Sequence, residues 1–321
     1  MNPQETARQQ LGHNIAMWGT PGSGKTTFLG ALSIALSRQD QGWKLVGSDV
    51  PSTDALIKLA TDLAGQRKFP QPTQGIERYR WNLVGAAPGR RRRRPWGGPG
   101  PEAVQIGLDL RDPTGEVYAL NAASEDLVER LVKSRGIIYL FDPVWEFVKG
   151  NSFDYLYGVL LRIAHRMVDA GEFSDGSLPH YLAVCITKFD DVRVLETAEK
   201  LRLVTPDTEG LLGFPRVGDD DARALFRWLC EVSRSGNAEL VLNMIKQFFH
   251  EDRVRYYVTS SIGFYVDPEF RLFDPDDVQN LIPDPDNPTQ MKIRGPVYPI
   301  NVTEPVTWLA QELAAQDRSR R

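Results

Sequence analysis

The segment Gly19-Thr20-Pro21-Gly22-Ser23-Gly24-Lys25-Thr26 constrains this chain more than any other, because it fits the pattern GxxxxGK[ST] without a mismatch. A short apolar strand candidate, residues 13–18 (HNIAMW), stands before it. After it, residues 27–37 place Phe28, Leu29, Leu32, Ala35 and Leu36 at helical spacing, with Thr27 opening the helix. In the order strand, glycine-rich turn, helix, the loop's backbone N–H groups converge on phosphate oxygens, and the positive helix end faces them. Lys25 then bridges the β- and γ-phosphates, and the Thr26 hydroxyl suits magnesium. The pattern predicts binding of a nucleoside triphosphate with Mg2+.

Strands alternate with helices along most of the remaining chain. Apolar runs at 136–141 (GIIYLF) and 181–186 (YLAVCI) predict buried strands, and 254–258 (VRYYV) a further strand. Residues 76–84 and 102–110 predict a hairpin whose enlarged tip carries the run Arg90 to Arg94 and Trp96 among Gly and Pro. Helices are expected over 52–64 (capped by Ser52 or Thr53), 124–135, 153–170, 221–232, 238–249 and 304–315. The expected fold is an α/β P-loop NTPase fold. Its mostly parallel central sheet has helices on both faces and one antiparallel hairpin, with large insertions. Residues 1–12 and 316–321 read as tails, and 13–315 as one enlarged domain. Within it, 86–101 is a basic Gly/Pro/Arg insertion and 267–299 a Pro/Asp-rich loop.

Composition narrows the class of partner. With 38 Lys+Arg against 42 Asp+Glu, the formal charge is -4, so nucleic acid binding is not expected as a global property. The two cysteines, Cys185 and Cys230, have no CxxC spacing, which argues against a disulfide frame or a zinc site. No apolar run approaches the ~18 residues of a membrane span. The opening MNPQETARQQ lacks a signal core, and neither end carries a lipidation pattern. A cytoplasmic protein is expected.

Three further motifs occur in order, each after a strand candidate. Asp112-Pro113-Thr114-Gly115 is a DxxG sequence after LDLR; Thr187-Lys188-Phe189-Asp190 follows YLAVCI; Thr259-Ser260-Ser261-Ile262-Gly263 follows VRYYV. Thr187 to Asp190 looks like the [NT]KxD guanine motif of P-loop GTPases, which implies that Asp190 accepts the N1–H and the exocyclic amine of guanine, a donor pair adenine lacks, and would be left unpaired by adenine. Together with the first loop, these motifs resemble the Ras-like branch of P-loop GTPases (TRAFAC type) over residues 13–263. The Thr form of [NT]KxD is similar to that of Rho proteins. The resemblance implies GTP/GDP and Mg2+ as ligands. It also implies Asp112 on the metal side, Gly115 at the γ-phosphate, Lys188 along the base plane, and Ser260, Ser261 and Ile262 at the base edge. Pro72-Thr73-Gln74-Gly75 resembles the first switch, whose Thr (here Thr73) completes the magnesium shell. Enlarged members occur in bacteria within multi-protein signalling or defence systems, which implies a bacterial source, a regulatory role, and effector or activating proteins as partners.

One departure bears on rate. Where the family often has a water-orienting Gln, this chain has Glu116, whose carboxylate would repel the γ-phosphate. Slow intrinsic hydrolysis is expected, with Arg67 or Arg78 as weak candidates for an internal arginine finger. The run Arg90 to Arg94 suggests docking to an acidic partner. Two other readings stay open: an ATPase using Asp142 as the metal-side acid, and a scaffold that senses GTP without hydrolysing it.

Overall fold

Alternate residues of β1 (Asn14–Gly19) enter opposite cores. Ile15 and Met17 join one buried cluster, and Ala16 and Trp18 the other. β5 (Gly136–Phe141) divides in the same way, with Ile138 and Leu140 on one side and Ile137, Tyr139 and Phe141 on the other. A strand covered on both faces must be apolar at every position. That is why these runs show no polar alternation. The computed structural model describes residues 14–39, 42–70, 77–86, 103–112, 125–173, 176–207, 212–285, 287–288 and 290–320.

The elements follow in chain order. After β1 come α1 (Lys25–Ser37), β2 (Lys44–Gly47), α2 (Val50–Ala60), β3 (Glu77–Ala86), β4 (Ala103–Asp112), α3 (Glu125–Lys133) and β5. Next are α4 (Pro143–Lys149), α5 (Ser152–Asp169), β6 (Tyr181–Ile186), α6 (Val192–Lys200), β7 (Val204–Pro206) and β8 (Pro215–Val217). The chain continues through α7 (Asp219–Val232), α8 (Ala238–Phe248), β9 (Val254–Val258), β10 (Leu281–Pro283), β11 (Met291–Ile293) and α9 (Glu304–Arg320).

Seven strands form one sheet in the order β2-β3-β4-β1-β5-β6-β9. β4, β1, β5, β6 and β9 run parallel, and β3 is antiparallel to both its neighbours. On one face, α1 and α9 bury Phe28, Leu29, Leu32, Val306, Leu309 and Leu313 against the sheet. On the other, α3, α5, α7 and α8 bury residues such as Leu131, Phe153, Phe226 and Val241. The protein is therefore an α/β fold with a mostly parallel sheet covered on both faces, and β3–β4 is its antiparallel hairpin.

Several expectations change. The second helix begins at Val50, with Pro51 inside its first turn, and it is capped by Asp49, whose carboxylate accepts from Ser52 N at 2.8 Å. Proline suits a first turn because its missing N–H needs no partner there. Ser52 instead serves the sheet. Its Oγ accepts from Arg80 N (3.1 Å) and its carbonyl from Trp81 Nε1 (2.9 Å). The helix runs on as a π turn, Thr61–Gly65. The stretch 267–299 is more than a loop: it holds the β10–β11 hairpin and buries Asn280, Ile293 and Val297. The last helix continues past Ala315 to Arg320. The proposed tail at residues 1–12, the tip with Arg90 to Arg94, and Arg78's side chain lie outside the described residues.

Trp81 is fully buried and its indole N–H is spent on Ser52. Trp81→Phe should lower unfolding free energy by about 1–3 kcal/mol, since it leaves a buried carbonyl without that donor. Urea denaturation checks this, and an unchanged midpoint would contradict the role given to that bond.

Candidate functional site

Strand register sets the site. Gly19 pairs with Leu140, Phe141 with Ile186, and Ile186 with Val258, so β1, β5, β6 and β9 end at one level. β4 joins them: Asp109 pairs with Ala16, and Asp112 lies three residues further along. Glu77 pairs with Asp112, so the chain enters β3 at this same edge. The carboxyl edge of a parallel sheet is where open α/β folds collect ligands. Here it gathers the loops after β1, β4, β5, β6 and β9.

The loop after β1 curls through two left-handed glycines, Gly22 (φ 76) and Gly24 (φ 90), conformations that a side chain would strain. Ser23 N bonds to Thr20 O (3.1 Å), closing the turn. Gly24 caps the thirteen residues of α1 without a side-chain hydrogen bond. Lys25 is buried across this turn, its Nζ donating to the carbonyls of Gly19 (3.2 Å) and Thr20 (3.1 Å). Thr20 Oγ1 and Ser23 Oγ are buried with no hydrogen-bond partner among the described residues. Buried hydroxyls without partners are costly. Two of them beside a lysine and a helix N-terminus form a cradle suited to phosphate oxygens. Pro21 is half-buried and Gly22 exposed, and Thr26 and Thr27 lie half-buried in the first helical turn.

Two strands away, about 10 Å at ordinary strand spacing, stands the loop after β6. Thr187 is tied to the end of β5, its N and Oγ1 both donating to Phe141 O (2.8 and 2.9 Å). Lys188 has a left-handed backbone (φ 59), and its Nζ donates to Asp142 Oδ2 at 2.5 Å. Phe189 is fully buried and anchors the loop. Asp190 is nearly buried, and its Oδ1 accepts from Ser260 Oγ at 2.5 Å. Ser260 Oγ in turn accepts from the backbone N–H groups of Ile262 (3.3 Å) and Gly263 (2.8 Å). The motifs after β6 and β9, seventy residues apart, thus meet in one hydrogen-bonded unit.

Of the sequence-predicted residues, those of the first loop, the loop after β6, and Ser260, Ser261 and Ile262 all lie at this edge. Asp112 is there by its backbone position, and its side chain is outside the described residues, as are Thr73, Gly115 and Glu116. Arg67 is half-buried, and its Nη1 donates to Arg294 O at 3.1 Å. Sequence reading missed the Asp142–Lys188 pair. Its one signal was an acid closing an apolar strand beside a second such strand closed by Thr-Lys. Among the described residues, no group of three or more His, Cys, Asp or Glu could hold a metal by itself, and no helix is long and apolar enough to cross a membrane.

No protein-family model matches the chain, and no curated protein matches it. Among solved structures it is similar to the signal recognition particle receptor SRb-GTP/SRX complex from Chaetomium thermophilum. The two are 14% identical, with a TM-score of 0.35, covering 78% of this chain and 91% of that one. A likeness at that level decides nothing about the site.

Burial raises the Asp190 carboxyl from 3.8 to about 6, against the opposing hydrogen bond from Ser260. A folded value above the unfolded one means the group stabilises the fold fully below about pH 3.8, and that contribution is lost as pH rises through about 6. A carboxyl NMR titration should find the Asp190 midpoint near pH 6. Ser260→Ala should raise it, because the hydroxyl favours the charged form. A midpoint at the ordinary value, or a fall on substitution, would refute the burial account.

Proposed function

We propose that this protein binds GTP with magnesium and hydrolyses it slowly to GDP and phosphate, serving as a switch in a larger assembly. One observation carries the reading: Asp190, buried and oriented by Ser260, stands two strands from the cradle at 19–26. That separation is of the order between the phosphates and the base of one nucleotide. The carboxylate accepts the N1–H and the exocyclic amine of guanine, while adenine presents no such pair and leaves a buried charge unsatisfied. Lys188, pinned at its Nζ by Asp142, lays its alkyl stem along the base plane. Lys25, the hydroxyls of Thr20 and Ser23, and the amides through Thr27 bind the phosphate chain.

A magnesium ion shared with the nucleotide would suit this reading, since Mg2+ takes few protein ligands and completes its shell with phosphate oxygens and water. Thr26, Asp112 and Thr73 would hold it, and when bound it neutralises charge on the β- and γ-phosphates. Gly115 and Glu116 lie outside the described residues; by the family resemblance they would face the terminal phosphate and the attacking water. The ATPase reading is less well supported: Asp142 is fully buried, with Oδ1 already accepting from Trp145 N (3.0 Å) and Oδ2 from Lys188 Nζ.

Calorimetric titration with GTP, GDP and ATP should find both guanine nucleotides at least about a hundredfold tighter than ATP. Asp190→Ala should abolish that preference, because it removes two charge-assisted hydrogen bonds of about 1.5–3 kcal/mol each. Equal affinity for ATP in the wild type would overturn the guanine assignment. For the chemical step, Glu116→Gln should speed single-turnover GTP cleavage by removing a negative charge from the γ-phosphate. A rate unchanged or lower would count against that role of Glu116, and a wild type without turnover, alone or with candidate partners, would leave the GTP-sensing scaffold as the better reading.

A further inference from the structure

Between the turn after β9 and α9 the chain makes an excursion, residues 264–303, and its contacts are not those of a surface loop. Ser260 and Ile300 exchange backbone hydrogen bonds in both directions, at 3.0 and 2.8 Å. The carbonyl of Ile262 receives Tyr298 N (2.9 Å) and Asn280 Nδ2 (3.3 Å). Gly263 (φ 72) lies so close to the Tyr298 carbonyl that a Cβ would come within 2.0 Å of its oxygen. Phe264 stacks edge-on to Phe189 of the other base-side loop, with centroids 5.6 Å apart.

Asn280 is the knot of this excursion. It is 1% exposed, and its Oδ1 accepts from Gly295 N (2.8 Å) while its Nδ2 also donates to Pro296 O (3.3 Å). Its carbonyl accepts from Arg294 N (2.9 Å). The same residues reach the stretch that follows α2. Ile293 N donates to Arg67 O (3.2 Å), and Arg67 Nη1 donates to Arg294 O. Ile34, Leu63, Ile262, Ile293 and Val297 share one buried cluster, against which Phe69 and Leu281 pack.

We propose that the excursion is a built-in clasp with Asn280 as its positioning residue. It holds the base-reading turn 260–263 by protein contacts alone, and it joins that turn to residues 63–69 as one mechanical unit. The inference rests on the guanine reading for its function. Its structural half stands apart, because the clasp's contacts are all within the chain. Asn280→Asp keeps the acceptor for Gly295 N but removes the two donors and sets a carboxylate against the carbonyls of Ile262 and Pro296. Arg67→Ala removes only the side-chain bond to Arg294 O and leaves the backbone bond from Ile293 N and the core of the clasp whole.

Two measurements test the clasp: hydrogen exchange on protein freed of nucleotide by EDTA, and stopped-flow release of a fluorescent GDP analogue. Asn280→Asp should speed exchange at 260–263 and at 63–69 together, with α5 and α7 as protected as in the wild type. Local loosening of this kind is distinct from global loss of stability. GDP release should quicken about tenfold, with association within twofold. Arg67→Ala should quicken both exchange and release about threefold, which keeps the test alive should Asn280→Asp fail to fold. Exchange that rises at 260–263 without 63–69, or release within twofold of wild type in folded variants, overturns the clasp. A wild type that binds no guanine nucleotide overturns the functional reading instead, while the exchange result still judges the clasp.

Discussion

In-register parallel pairing across β1, β5, β6 and β9 is the constraint on which the rest depends. Side chains alternate along each of these strands, so a slip of one residue would turn every buried side chain toward the wrong core. The two apolar layers therefore fix the register, and the register fixes where each strand stops. Because Gly19, Phe141, Ile186 and Val258 end level, loops from distant parts of the chain are delivered to one edge with no contact among themselves needed to bring them there. Hydrophobic burial alone thus sets the spacing between the glycine-rich turn and the Asp190 carboxylate.

On that frame two buried acids take different parts. Asp142 is saturated by a helix N–H and an ammonium. Removing either partner would leave an uncompensated charge in the interior. Asp190 has a neutral hydroxyl as its partner and is raised toward neutrality by burial. The first acid has a charged partner and the second a neutral one. Exposure and charge alone would not separate them; their hydrogen-bond partners do.

Much of this was legible in the sequence where the signal was local. GIIYLF and YLAVCI announced their own strand limits, because burial on both faces leaves nothing polar inside, and VRYYV read as a strand with its Arg255 exposed. The glycine-rich loop and the acid after YLAVCI were likewise placed by spacing. What escaped was short or non-local. β2 has four residues, too few for alternation to register. α4 and α6 are seven and nine residues, each started by an Asp cap (Asp142, Asp191) instead of a long apolar period. The Asp142–Lys188 pair spans 46 positions, and the bond from Ser260 to Asp190 spans 70. In the stretch 267–299, frequent Pro and Asp hid a hairpin whose stability comes from packing on Ile34, Leu63 and Ile262.

The β3–β4 pair has a directional consequence. Its ladder runs from Glu77↔Asp112 at the ligand edge to Ala86↔Ala103, ten pairs with no break. At about 3.3 Å per residue it is a stiff arm roughly 30 Å long. The arginine-rich stretch is thus rooted at the end of the arm opposite the phosphate cradle. Anything that engages the arm at Ala86 and Ala103 approaches the molecule from the side away from residues 19–26, leaving the carboxyl edge of the sheet uncovered.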